Sequence, residues 1–237
     1  MNLVREHWNK QDIPEFQAYL KSFGKGEEKA KWEKRIINTK MPCIAIPSHE
    51  VGRITKEIAK GNFMEFLDLW IWENFTNTSI NGGLICRIKD FKNFEKYLTK
   101  YAQKSDNWAT CDLLKFKITD KNKEDYFNLA SRFSKSPKPF VRRIGITILF
   151  KLVDDNNFIY RIFENLNSFK NETEYYVNMV NAWLVAECFI KQREKTLKIF
   201  KNHELNKFTI NKAISKCRDS FRVSREDKEM LLKYRIK

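Results

Sequence analysis

A chain of 237 residues with only 7 Gly and 5 Pro has few places to turn sharply. Many-stranded sandwiches and barrels need a turn signal every 8–12 residues or so. That supply is missing, so the chain must be built from longer elements joined by short polar turns. The apolar residues point the same way. Phe16, Tyr19, Leu20 and Phe23 recur at three- and four-residue spacing after Asp12 and Pro14, the pattern of an amphipathic helix. Phe63–Asn74, Asn81–Ile88, Phe91–Ala102, Trp108–Ile118, Asp125–Phe133, Pro139–Val153, Asn157–Leu166, Glu172–Ile190, Glu194–Phe200, Thr209–Cys217 and Arg225–Leu232 carry the same period. Ser48 is placed to cap a helix bearing Val51, Ile54, Ile58 and Ala59. Two N-terminal stretches stand apart. KSFGKGEEKAKWEKR has few apolar anchors and reads as a loop or a mobile helix edge. MPCIAIP, bracketed by Pro42 and Pro47, must be extended or turning.

The helices come in pairs at intervals of roughly 35–45 residues, the range of armadillo and HEAT repeats. No identical motif recurs. The expected fold is therefore all-α: a curved solenoid of antiparallel helix pairs forming a single domain over residues 1–237, with 1–40 as a divergent helical segment. An irregular all-α globule is the plainer alternative. A solenoid presents a long concave face.

Hydrophobic residues make up 42% of the chain, and 19 Phe, 8 Tyr and 6 Trp exclude general disorder. Lys and Arg number 45 against 30 Asp and Glu, a formal net charge of +15. Such a surplus fits a polyanionic partner, nucleic acid before an anionic membrane. A Lys-rich compositional bias without function is the competing explanation. Cys43, Cys86, Cys111, Cys188 and Cys217 are odd in number and form no CxxC pair; His7, His49 and His203 are isolated. No metal and no cofactor are expected. The N-terminus MNLVREHWNK has no apolar core, and no run is long enough to span a bilayer. A soluble, cytoplasmic monomer is expected.

Three segments hold residues suited to chemistry. In SDNWATCD, Trp108 and Asp112 are four apart and share a helix face. Asp112 reads either as a functional carboxylate or as an N-terminal charge favoured by the helix dipole. In KPFVRRIG, Arg142 and Arg143 open an apolar helix, where amides and a guanidinium can hold a phosphate; a solvated charged end is the plainer reading. In YYVNMVNAWLVAE, Trp183 and Glu187 repeat the Trp-x-x-x-carboxylate spacing, with Asn178 and Asn181 nearby. Here the plainer reading makes Trp183 a core residue and the asparagines caps.

In this order, the three segments resemble the AlkD-like family of DNA alkylation repair proteins, from about Met41 to the C-terminus. NWATCD is similar to the family's Trp-x-x-x-Asp element, FVRRIGITILFKL to its Arg-led helix through Arg143, and YVNMVNAWLVAE to the helix bearing a second cleft Trp. The C-terminal NKFTINKAISKC is similar to a basic element near the DNA backbone. The resemblance implies a HEAT-like DNA glycosylase, a hydrolase that removes N3- and N7-alkylated purines from double-stranded DNA held in a basic concave cleft. It implies that the base stays stacked. Asp112 would stabilise the oxocarbenium-like sugar and position water, Trp108 and Trp183 would pack on the deoxyribose, Arg143 and Arg142 would bind phosphate, and Glu187 would support them. It requires Trp108, Asp112 and Trp183 to converge on one cleft. Active relatives carry a polar residue two positions before the equivalent of Pro47, where this chain has Ala45, and the upstream cleft aromatic has no counterpart among Lys34 and Arg35. Those departures leave a non-catalytic HEAT-repeat nucleic-acid-binding protein of the same family as the alternative. A helical-repeat adaptor for a protein partner would explain the repeats but not the charge.

Overall fold

The computed structural model describes residues 1–237 and is all-helical, with fourteen α-helices, one 3-10 turn at Lys10–Asp12 and no strand. No helix is long and apolar enough to cross a membrane. The chain divides into two compact units, Met1–Lys117 and Ile118–Lys237.

The N-terminal unit contains α1 (Ile13–Lys21), α2 (Glu27–Ile37), α3 (Ser48–Ile58), α4 (Phe63–Leu69), α5 (Phe75–Ile85), α6 (Phe91–Lys104) and α7 (Trp108–Asp112). The C-terminal unit contains α8 (Lys123–Ser134), α9 (Pro139–Leu149), α10 (Ile159–Asn167), α11 (Tyr175–Lys191), α12 (Arg193–Asn202), α13 (Lys207–Asp219) and α14 (Arg225–Leu232). Asparagine and aspartate do what scarce Gly and Pro cannot. Asn62, Asn74, Asp90, Asn107 and Asn206 each accept a backbone N–H from the first turn of the helix they precede. Such a cap is worth about 1 kcal/mol.

In the N-terminal unit α5 is central, packing on α3, α4, α6 and α7. Trp8 and Phe16 meet Phe66 edge-on, with ring centroids at 5.0 and 5.2 Å. Beside them lies a buried amide network: Gln17 donates to Asn77 (3.0 Å), and Asn74 donates to Gln17 (3.2 Å). In the C-terminal unit α9, α11 and α13 pack side by side in chain order, as alternate helices of stacked pairs do, with α8 on α9, α12 on α11 and α14 on α13.

Several boundaries differ from the sequence pattern. The charged stretch read as a loop or a mobile helix edge is largely α2. Gly26, at φ 88°, opens it; Glu27 and Glu28 in the first turn and Lys34 and Arg35 in the last complement its dipole. Ser48 is the first helical residue of α3 rather than its cap, a position taken by Pro47. The run Phe63–Asn74 is not one helix: α4 stops at Leu69 because Trp70 turns left-handed at φ 50°, and Asn81 Nδ2 satisfies the carbonyl of Ile71 in the break. Trp108–Ile118 yields a five-residue helix. Beyond it Lys115 and Lys117 are exposed and Phe116 is buried, an alternation suited to extended chain.

Gly145 lets α9 approach α8 closely. A Cβ there would sit 2.8 Å from the Ala130 carbonyl oxygen and 2.9 Å from Phe133 Cβ. Gly145→Ala should therefore destabilise the protein by about 1–3 kcal/mol. Gly52, in α3 with nothing near its missing Cβ, gives the opposite sign: Gly52→Ala should stabilise by roughly 0.5–1 kcal/mol. Thermal melting followed by circular dichroism checks both. Equal melting temperatures for the two variants would refute the steric account.

Candidate functional site

A five-residue helix is too short to form by itself, so α7 depends on what holds its ends. Asn107, fully buried, accepts the Thr110 N–H at 3.0 Å, and Thr110 Oγ1 donates back to the Asn107 carbonyl at 2.8 Å. From below, the hydroxyl of fully buried Tyr101 on α6 donates to the Thr110 carbonyl at 2.9 Å. From the side, Asp106 accepts Thr39 Oγ1 (2.7 Å) and the Lys40 N–H (2.9 Å), tying the turn before α7 to the end of α2. Gly82 makes room on α5, where a Cβ would fall 2.7 Å from Leu113 Cδ1 and 3.0 Å from the Tyr101 hydroxyl.

On this frame Trp108 is half-buried, and its Nε1 donates to the Ile36 carbonyl at 3.3 Å. The indole is oriented by a hydrogen bond but keeps part of its surface open. Asp112 is also half-exposed. It is the last residue of α7 and not in its first turn. The dipole disfavours a carboxylate at that end, so the N-terminal-charge reading of Asp112 does not hold.

On the neighbouring face of α7, Ala109 and Leu113 line a largely apolar groove of about 600 Å³, walled by α3 and α5. Glu33 of α2 reaches into it, with Lys56, Arg87, Lys115 and Lys117 at the margins. Glu33 Oε2 accepts the N–H of Ala45 at 3.0 Å, and burial raises the carboxyl above its ordinary pKa. Ala45 is left-handed, at φ 50°, a conformation few non-glycine residues adopt. Beside it, burial and the Glu33 charge push the Cys43 thiol up to about 12. The other four cysteines are buried free thiols. Sequence reasoning missed Glu33, which lies in the stretch read as a loop or a mobile helix edge. The Glu27/Glu28 and Lys34/Arg35 charge order was the signal of a helix there.

The remaining candidates belong to the C-terminal unit. Trp183 is 42% exposed on α11 and leans on Phe150, centroids 4.6 Å apart; it is not a core residue. One turn on, Glu187 accepts both terminal nitrogens of Arg222 (2.8 and 2.7 Å), which raises the guanidinium pKa. The two lie in a shallow depression with Lys216 and Ser220. Asn178 is a bracket: it donates to the Glu172 carbonyl and accepts from Asn206 and Thr209. Asn181 is fully buried, with both side-chain polar atoms unpartnered.

Arg142 and Arg143 point into the protein. Arg142 grips Glu172 through Nε (2.8 Å) and Nη2 (3.1 Å), and its Nη1 donates to the carbonyls of Ser136 and Pro137. The Glu172 carboxylate also caps the N–H groups of Thr173 and Glu174. Arg143 is 5% exposed and donates to the Tyr176 carbonyl. These contacts fix the start of α11, the helix that carries Trp183. A buried pair broken on one side costs about 3–5 kcal/mol. The side chains of Arg142 and Glu172 are 13% and 8% exposed, so Arg142→Ala should lower stability by about that amount in urea unfolding. An unchanged midpoint would show that the pair is not a structural clamp.

A family model for "DNA alkylation repair enzyme" matches residues 2–217. A search of curated proteins finds no match.

Proposed function

This chain belongs to the DNA alkylation repair enzyme family, and from that premise we propose that it is a DNA glycosylase acting on N3- and N7-alkylated purines in double-stranded DNA. The observation that carries this reading is the pair on α7. A carboxylate stands at a half-exposed position that helix electrostatics does not explain, one turn from an indole fixed by its own N–H.

The chemistry asks for little more. An alkylated purine is a cation, so when its N-glycosidic bond breaks, the bonding electrons neutralise the leaving base without protonation. Positive charge develops on the deoxyribose. Asp112 would face that charge as an ionised carboxylate, Trp108 would cover the sugar with apolar surface, and a water admitted by the half-open site would add to C1′ and lose its proton. Charge stabilisation of this type is commonly the largest single contribution to such catalysis. Trp183, exposed on its own unit, offers a second indole to the substrate. Arg143 and Arg142 would act chiefly by fixing the start of α11. Their inward contacts leave the phosphates to exposed basic residues such as Lys212 and Arg218. Glu187 is a support whose charge is met by Arg222.

One observation favours the alternative, a DNA-binding member without excision. Where active relatives carry a polar side chain, Ala45 offers only a methyl group, and its N–H is committed to Glu33.

Release of 7-methylguanine from methylated duplex separates the two. Wild type should release the base. Asp112→Asn should slow release by about 100-fold or more and leave duplex affinity nearly unchanged, because an anion contributes nothing to phosphate binding. Wild-type protein that binds duplex but releases no base would make the chain a binder.

A further inference from the structure

A row of lysines in the N-terminal unit lies on α6. Along α6, Lys92, Lys96, Lys100 and Lys104 follow one another at four-residue steps, all exposed. With a rise of 1.5 Å per residue they form a row about 18 Å long. This row occupies the side of α6 opposite Phe94, Leu98, Tyr101 and Ala102, the buried face that includes the Tyr101 contact to α7. None of the four lysines is in an ion pair. Like charges one turn apart repel, so the row weakens the helix that carries it.

Three of the lysines are also held in place. Lys100 Nζ sits 3.9 Å from the centroid of the Trp70 ring, Lys104 Nζ 5.9 Å from Trp72, and Lys96 Nζ 5.6 Å from Tyr97. Trp70 and Trp72 stack on each other at 5.4 Å and 14°, and Trp72 meets Tyr101 edge-on. The left-handed turn at Trp70 that ends α4 brings these indoles beside α6. Burial lowers the Lys100 pKa, with Lys104 and Lys96 adding to the shift and Asp68 opposing it. Asp68 itself accepts the Tyr97 hydroxyl.

We propose that this face of α6 is a phosphate rail, a second surface that binds the sugar–phosphate backbone of DNA independently of the Trp108–Asp112 site. A row of ammonium groups on a rigid helix, ordered over aromatic rings, matches a polymer with a regular line of charge. A membrane-binding helix would instead carry an exposed apolar face beside its lysines, and the apolar face of α6 is buried. The inference rests on DNA being the partner, as proposed above.

The test is the salt dependence of binding to undamaged duplex, measured by fluorescence anisotropy. Each phosphate contact contributes about 0.9 to the slope of log K against log salt. The triple variant Lys96→Gln, Lys100→Gln, Lys104→Gln should flatten that slope by about 2–3 and keep its helical circular dichroism. A second triple at exposed Lys121, Lys170 and Lys201, with the same change in net charge, should move it by less than about 1. Equal slopes for the two triples, or a slope unchanged by the first, would overturn the rail while leaving the DNA reading intact. Loss of binding to phosphatidylglycerol vesicles by the first triple, with its DNA slope unchanged, would make the row a membrane contact and also overturn the proposal. Wild type that fails to bind duplex would sink the DNA reading and the rail together.

Discussion

The hydrogen bond from Tyr101 to the Thr110 carbonyl is the contact on which the candidate site depends. Through it the fourteen-residue helix α6 grips a helix too short to support itself. Asn107 closes the first turn of α7, Asp106 fastens the preceding turn to α2, and Gly82 permits the close approach of α5. The position of Asp112 thus follows from polar contacts around α7, made by the buried groups of Asn107, Thr110 and Tyr101 and by the partly buried carboxylate of Asp106. In a low-dielectric interior such satisfied polar contacts are costly to break.

Several other carboxylates are joined to cations within the C-terminal unit. Glu172 is consumed by Arg142, Glu187 by Arg222, Asp227 by Arg193, and Asp155 by Lys123. Each joins two segments of one unit, and each acid is partly discharged by its partner. Glu33 differs again: burial raises its pKa, and the backbone N–H of Ala45 opposes that shift. The two Trp-x-x-x-carboxylate segments therefore share a spacing without sharing an electrostatic role: Glu187 anchors the chain near the C-terminus, whereas Asp112 closes a helix at the end where the dipole opposes it.

Helical class and most helix positions were legible in the sequence because burial in a helical chain writes a 3.6-residue period, and α14 has the bounds that period gave it, Arg225–Leu232. What the period could not reveal were interruptions made by single backbone conformations. Trp70 and Ala45 are left-handed with no glycine to announce it. The helix α2 was hidden because its stability comes from charge order rather than from a buried face; of its residues only Ile37 is buried. At the site, the spacing put Trp108 and Asp112 on one face, yet whether Asp112 began or ended its helix depended on where α7 stops. Arg142 and Arg143 looked like surface charges because the sequence does not show that Glu172, thirty residues away, folds back onto the first of them.

The division of labour between the two basic side chains explains where the +15 surplus resides. Arg5, Arg53, Arg142, Arg161, Arg193 and Arg222 all meet carboxylates of the chain itself. The planar guanidinium suits that use, since it can bind both oxygens of an acid at once. Internal pairing therefore draws heavily on arginine and leaves lysine to carry much of the outward field. A lysine ammonium is a compact, strongly hydrated point charge that meets phosphate without demanding one geometry. Attachment through such groups is insensitive to base sequence and steeply dependent on salt. The DNA repair activity proposed above would need that kind of hold, loose enough to slide along undamaged duplex and strong enough not to leave it.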